Sequence, residues 1–192
     1  LEQAVDLIGR IGPAKLTLAA VAAEAGVVPA TLIQRFGSKR GLIVAVAERS
    51  AQGTEAAFGR VRERYSAPLP ALEALVVESM APMTTPEVFA NHLAFLCMDL
   101  TDPELHEHAL VIHNAQRAAI RTLLDEAVAR TELRAETDTA ALAGTIQAII
   151  AGVGLSWALD REGTLPQRLR REIRALLPPH VQSNDMRDSE ES

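Results

Sequence analysis

Three sets of side chains in this chain of 192 residues could do chemistry. Cys97, the only cysteine, is a potential nucleophile, but it stands in an apolar run with no base beside it. His106, His108 and His113, with Glu104 and Glu107, offer metal-ligating atoms. On a helix only Glu104 and His108 form an i, i+4 pair there, and His106 and His108 point to different faces, so the spacing predicts a solvated face. No carboxylate pair suited to acid–base work stands out, and neither catalysis, metal nor cofactor is expected. The third set lies in the stretch from Val27 to Lys39, where Thr31, Gln34, Arg35, Ser38 and Lys39 gather hydrogen-bonding and cationic groups. Such groups suit phosphates and base edges.

The elements around that stretch are those of a helix-turn-helix. Leu1, Ala4, Val5, Ile8 and Ile11 follow a helical period with no capping residue in front, so the sequence is expected to begin inside a helix. That helix should stop near Ile11, where Gly12 supplies a left-handed cap and Pro13 cannot continue. Thr17 is a good N-cap for a second helix that buries Leu18, Val21, Ala22 and Ala25 and ends at Gly26. The third starts around Pro29 and buries Leu32 and Phe36, one turn apart. Small Ala22 at the crossing, the Gly26 turn, and Val21, Ala25, Val27 and Leu32 fixing the angle give the layout of a DNA-reading motif.

Composition agrees. Apolar residues make up 48% of the chain but aromatic ones only 3%, which favours an all-α fold packed on Ala, Leu, Val and Ile. The net charge of -6 speaks against a polyanionic partner for the chain as a whole, yet residues 1–50 carry six basic against four acidic side chains. A mildly basic head on an acidic body suits a protein that touches nucleic acid at one end. A single cysteine excludes an intrachain disulfide, and with no signal segment at the start a reducing, cytoplasmic setting is expected. Only Lys15 and Lys39 among the 19 basic residues are lysine, which points to a high-GC bacterial source.

Past the third helix the period predicts longer elements: one from Lys39 toward Arg64, one opened by Pro68 and Pro70, and one from Glu87 to Leu100. A spine helix capped by Asp102 with Pro103 at its first position follows, its face marked by Leu105, Ala109, Ile112, Gln116, Ile120, Leu123 and Ala127. Thr139 to Leu159 holds no charged residue and is long enough to cross a bilayer, but its Thr, Gln, Ser, Ala and Gly content predicts a protein interior rather than a membrane. Gly144, Ala148, Gly152 and Ser156 continue from Ala140 as a stripe of small side chains that lets another helix approach. Leu165, Leu169, Ile173 and Leu176 mark a last amphipathic helix. The expected domains are 1–46, 47–180 and a disordered tail at 181–192.

Thr17, Ala22, Ala25, Gly26, Val27, Thr31, Leu32, Phe36, Ser38, Lys39 and Leu42 closely resemble the DNA-binding segment of the TetR (tetracycline-repressor-like) family. The resemblance is specific over residues 1–46 and architectural over the rest. It implies a dimeric, ligand-responsive transcriptional regulator, most often a repressor, bound to near-palindromic double-stranded DNA. Thr17, Thr31 and Lys39 would hold phosphates, Gln34 and Arg35 would read bases, and Pro29 and Ala30 could touch a thymine methyl. Two departures stand out: Val28 replaces the usual polar N-cap and Ile33 the usual tyrosine.

The same resemblance implies a pocket for an unknown small, hydrophobic effector among Met80, Phe89, His92, Phe95, Leu96, His113, Gln116, Ile120, Gln147 and Trp157. It also implies a homodimer interface built from the small stripe at Gly144, Ala148, Gly152 and Ser156 together with Leu169 and Ile173. Two other readings use the same residues. One is an all-helical enzyme working through Cys97 or His113; the other is a ligand-binding or protein-interaction module whose DNA head has weakened at Val28 and Ile33.

Overall fold

The computed structural model describes residues 1–181, which form nine α-helices. They are α1 (Glu2–Lys15), α2 (Leu18–Glu24), α3 (Pro29–Phe36), α4 (Lys39–Glu63), α5 (Pro68–Ser79), α6 (Pro86–Thr101), α7 (Pro103–Ala129), α8 (Thr139–Asp160) and α9 (Leu165–Leu176). A single 3-10 turn follows at Pro178–His180, and Leu133 pairs with Val181 in an isolated antiparallel bridge. The expectation of a disordered tail falls on positions that, from 182 on, lie outside the described residues.

Local chemistry accounts for most helix starts. Thr17, Ser38, Thr85, Asp102, Asp138 and Thr164 each accept a backbone N–H from the first turn of the helix they precede. Each such bond satisfies a donor that the helix cannot. Proline stands at the first or second position of α3, α5, α6, α7 and α9, where its missing N–H costs nothing. Gly12 breaks the helical conformation of α1 where expected, but with an extended, positive-φ backbone rather than a left-handed cap, and the helix resumes past it to Lys15. This glycine kinks the helix at φ 78°, ψ 159°, a conformation open to glycine but not to residues with a Cβ, and Pro13 lies inside the helix beyond the kink.

Two apolar cores result. The smaller one, in the N-terminal head, joins Ala4, Leu7 and Ile8 of α1 to Leu16, Val21, Ala22, Leu32, Leu42, Ile43, Val46 and Ala47. The larger one, in the body, is built from Leu72 and Leu75 of α5, Ile120, Leu123 and Leu124 of α7, Ile146 and Ile150 of α8, and Leu165, Leu169 and Ile173 of α9. Three helices reach both, and one of them, α6, places Phe89 in the body core and packs Phe95 and Met98 against the head core. α4 places Val46 in the head and Val61 in the body, and α7 places Leu105 in the head and Ile120 in the body. These two helices pack along each other, so a rigid-body displacement of one is felt by the other.

α8 is long and apolar enough to span a membrane by length and composition, and only 33% of its most apolar window is buried. Leu142, Ala143, Ile146, Gln147, Ile150, Gly154 and Trp157 face inward, where α8 packs on α6, α7 and α9. Its other side, with Ala148, Gly152, Leu155, Ser156 and Leu159, is exposed.

Candidate nucleic-acid interface

The second helix of the motif, α3, is held from below and bare above. Leu32 is buried and Phe36 half-buried against the head core, while Pro29, Ala30, Thr31, Gln34 and Arg35 are all exposed. A helix eight residues long cannot be stable alone, so its hold on Leu32 and Phe36 fixes its place. Arg35 lies with its guanidinium 5.2 Å from the Phe36 ring centroid, a cation–π contact that steadies an otherwise free side chain. Gln34 and Arg35 carry donors able to pair with adenine and guanine edges.

The two residues expected to anchor, Thr17 and Lys39, flank this helix. Thr17 Oγ1 accepts from Ala20 N at 3.0 Å, which leaves its hydroxyl proton free to donate outward. Lys39 donates from Nζ to Ala14 O at 3.2 Å, tying the start of α4 to the end of α1. An ammonium has two further donors, so that bond leaves Lys39 able to donate to a second acceptor such as a phosphate. Arg10 is paired with Glu24 at 2.5 Å, and Arg40 with Asp102 and Glu104, whereas Lys15, Arg35 and Lys39 have no ion-pair partner among the described residues. The uncompensated positive charge of the head thus lies around α3 and the start of α4.

Val28 caps nothing with its side chain and is 65% exposed; Ile33 is 53% exposed. Both departures therefore sit on the open face and disturb no packing.

Sequence reasoning passed over three positions that shape this head. Leu16 is fully buried between α1 and α2. Gly41 lies so close to the Phe36 carbonyl that a Cβ there would overlap the oxygen. The tight turn at Gly37 and Ser38, with Gly41 N donating to Ser38 Oγ at 3.0 Å, needs that space. The signal was present as serine followed three residues later by glycine. The third is Arg40, whose guanidinium grips Asp102 through two bonds of 2.9 and 3.0 Å and Glu104 at 2.6 Å. Asp102 also N-caps α7. Burial pushes its carboxyl up, but Arg40 and the N–H groups of Leu105 and Glu104 pull harder and hold it below the usual range. The start of α4 is in this way latched to the start of α7.

The residues expected to line an effector pocket do not converge on one cavity. Phe89, Ile120 and Trp157 are buried in the body core and Met80 packs on its edge. Phe89 fills the space that a Cβ on Gly154 would need, and Trp157 Nε1 donates to Gly163 O at 3.2 Å. Gln147 is buried and donates to the His113 carbonyl at 2.9 Å and to Gln116 Oε1 at 3.4 Å, which binds α8 to α7. The His113 residue as a whole and Leu96 are exposed. His92 and Phe95 border a cavity of about 180 Å³ that lies between head and body.

Of the residues assigned to a dimer interface, Ala148, Gly152 and Ser156 are exposed on α8. Gly144 is half-buried beneath the Arg117 guanidinium, 3.3 Å from where its Cβ would stand. Leu169 and Ile173 are fully buried in their own subunit. The helical period had marked them correctly as the apolar face of α9, but that face covers the body core, so α9 turns Arg171 and Glu172 toward the groove it shares with Gly152 and Ser156.

Known proteins share this organisation. Residues 1–46 match the sequence profile of bacterial regulatory proteins of the tetR family, and residues 68–173 match that of the tetracyclin repressor-like C-terminal domain. No curated protein shows a significant match. Solved structures superpose over nearly the whole chain. A protein from Saccharomonospora viridis, described as a transcriptional regulator and solved in complex with choline, gives a TM-score of 0.77 at 17% identity, covering 95% of each chain. The TetR-family regulator PfmR from Thermus thermophilus gives 0.68 at 18% identity, covering 95% of this chain and 98% of its own. The fatty acid degradation regulator FadR from Bacillus halodurans gives 0.68 at 18% identity, covering 92% and 95%. At such identities the superpositions speak for a common fold, and the sequence profiles carry the kinship. Since those profiles span the motif and most of the helical body behind it, the chain belongs to the TetR family of bacterial regulatory proteins.

Proposed function

We propose that this protein is a homodimeric transcriptional repressor that binds a near-palindromic operator through α2, α3 and the start of α4 and leaves it when a small, largely hydrophobic effector binds the body. The observation that carries this reading is the exposure of Thr31, Gln34 and Arg35 on a helix whose Leu32 is buried. Thr17, Thr31 and Lys39 hold phosphates, Gln34 and Arg35 read bases, and Pro29 and Ala30 lie where a thymine methyl would pass. The exposed strip of Ala148, Gly152 and Ser156, joined by Gly144, meets the same strip of a second subunit, as a two-fold axis requires. Two recognition helices are then presented about one DNA turn apart or more.

Effector release follows from the mechanical link between body and head. α4 and α7 run through both cores and are latched by Arg40, so a ligand that prefers one placement of α7 biases the spacing of the two heads. A coupling of about 1–3 kcal/mol is typical of such linkage. Relatives in fold include one solved with choline and one named for fatty acid degradation, in keeping with a small organic effector.

Fluorescence anisotropy against fragments of the gene's own upstream region tests the reading. The protein should prefer one fragment over random DNA at physiological salt; equal binding to both sinks it. A second reading, a ligand-binding module with a weakened head, draws on the bare Val28 and Ile33. Under that reading Arg35→Ala has no affinity or guanine preference to lose.

A further inference from the structure

Where α1 and α4 of the head meet α6 and α7 of the body, a cavity of about 180 Å³ remains. Its walls are mainly apolar, with Ile8, Val46, Phe95 and Ile112 among them, and Asp99 is the one carboxylate that lines it. Asp99 is only 8% exposed, and its Oδ1 has no hydrogen-bond partner. A buried carboxylate oxygen without a partner is costly, so something is expected to meet it. Three residues of α6, His92, Phe95 and Asp99, reach the cavity from one helix face at i, i+3 and i+7.

We propose that this junction cavity is a binding site for a small protonated amine with an apolar body, its ammonium donating to Asp99 and its hydrocarbon lying against Phe95, Val46 and Ile112. The size is that of about six waters, below the range of drug-sized pockets, so the ligand is small. Phe95 is the only aromatic carbon ring in the wall, too little for the cage that a quaternary ammonium needs, and such an ion has no N–H to give Asp99. A primary or secondary amine answers both conditions. Burial, with Asp102 adding to it, lifts the Asp99 carboxyl to about 6, and an ammonium beside it draws it back down. The binding claim stands by itself. Its regulatory consequence rests on the repressor reading, because the ligand would sit between walls that belong to head and body.

Calorimetry on the full chain without DNA tests the site, with n-butylamine and benzylamine compared against n-butanol and benzyl alcohol, and with tetramethylammonium. The amines should bind at least about tenfold more tightly than the matching alcohols, as a charge-assisted hydrogen bond implies, and more tightly than tetramethylammonium. Asp99→Asn should remove that preference while the variant still melts cooperatively. Ala109→Leu, which fills the cavity from α7, should abolish binding of amine and alcohol alike. Amines no better than alcohols or tetramethylammonium, or an amine affinity unchanged in Asp99→Asn, would overturn the proposal. Operator affinity is measured separately with and without saturating benzylamine. If Asp99-dependent binding leaves DNA affinity unmoved, the site stands and control of the repressor through it falls.

Discussion

At the scale of single residues, reading and anchoring should separate experimentally. Arg35→Ala and Gln34→Ala should each cost about 1–3 kcal/mol of discrimination at one base position, seen by competition with base-substituted operators. Lys39→Ala should instead weaken all sequences alike and make the salt dependence shallower by about 0.9 in the log–log slope, since one phosphate contact is lost. A variant that changes specificity at Lys39 would refute the assignment. Asp99 has its own signature. Its folded carboxyl titrates at about 6, above its ordinary value, so the stability it supplies is complete at low pH and is lost as pH rises through 6. Asp99→Asn should therefore raise the stability at about pH 8 by on the order of 1–3 kcal/mol, seen as a higher Tm, and make little difference at about pH 4. Equal gains at both values would show that the carboxyl is not the cause. His92, also at the junction, is held toward its neutral form by burial.

At the scale of elements, the head depends on turns as much as on helices. Gly41→Ala should drive a methyl into the Phe36 carbonyl, which is backbone and cannot swing aside. Loss of DNA binding with most of the helical circular dichroism retained is the expected result, because the body has its own core. Thr17→Ala, by comparison, removes a cap and should cost about 1 kcal/mol, read from chemical denaturation. Such caps were legible in the sequence because Thr17 and Asp102 act on residues two and three positions away. Gly12 was harder. Its role is set by α6, whose Asn91 donates to Gly9 O at 2.8 Å and holds its side-chain Oδ1 2.7 Å from where a Cβ at position 12 would stand, too close for one. No local pattern contains a contact made across 82 positions.

At the scale of the whole molecule, α8 gives the sharpest test. Its outward strip is small and apolar although it faces solvent in the single subunit, and Gly152→Arg should keep two such strips from approaching. Analytical ultracentrifugation should then show monomers for Gly152→Arg and dimers for the parent chain; an unchanged dimer would move the interface elsewhere. The all-α class, the helix-turn-helix and the spine of α7 could be read from the sequence, since periodicity, caps and glycine turns act within a few residues. Periodicity tells which face of a helix is apolar but not what covers it. For that reason Leu169 and Ile173 could be assigned to a partner although they close their own core, and Phe89, Ile120 and Trp157 to a pocket although they pack in the body. The sequence by itself determined the helices, their boundaries and the exposed chemistry of α3. Only the tertiary structure decided that Arg40 grips Asp102 and Glu104, and that Asp99 faces a cavity between head and body. Both depend on side chains brought together across long stretches of chain by the packing of α1 and α4 against α6 and α7.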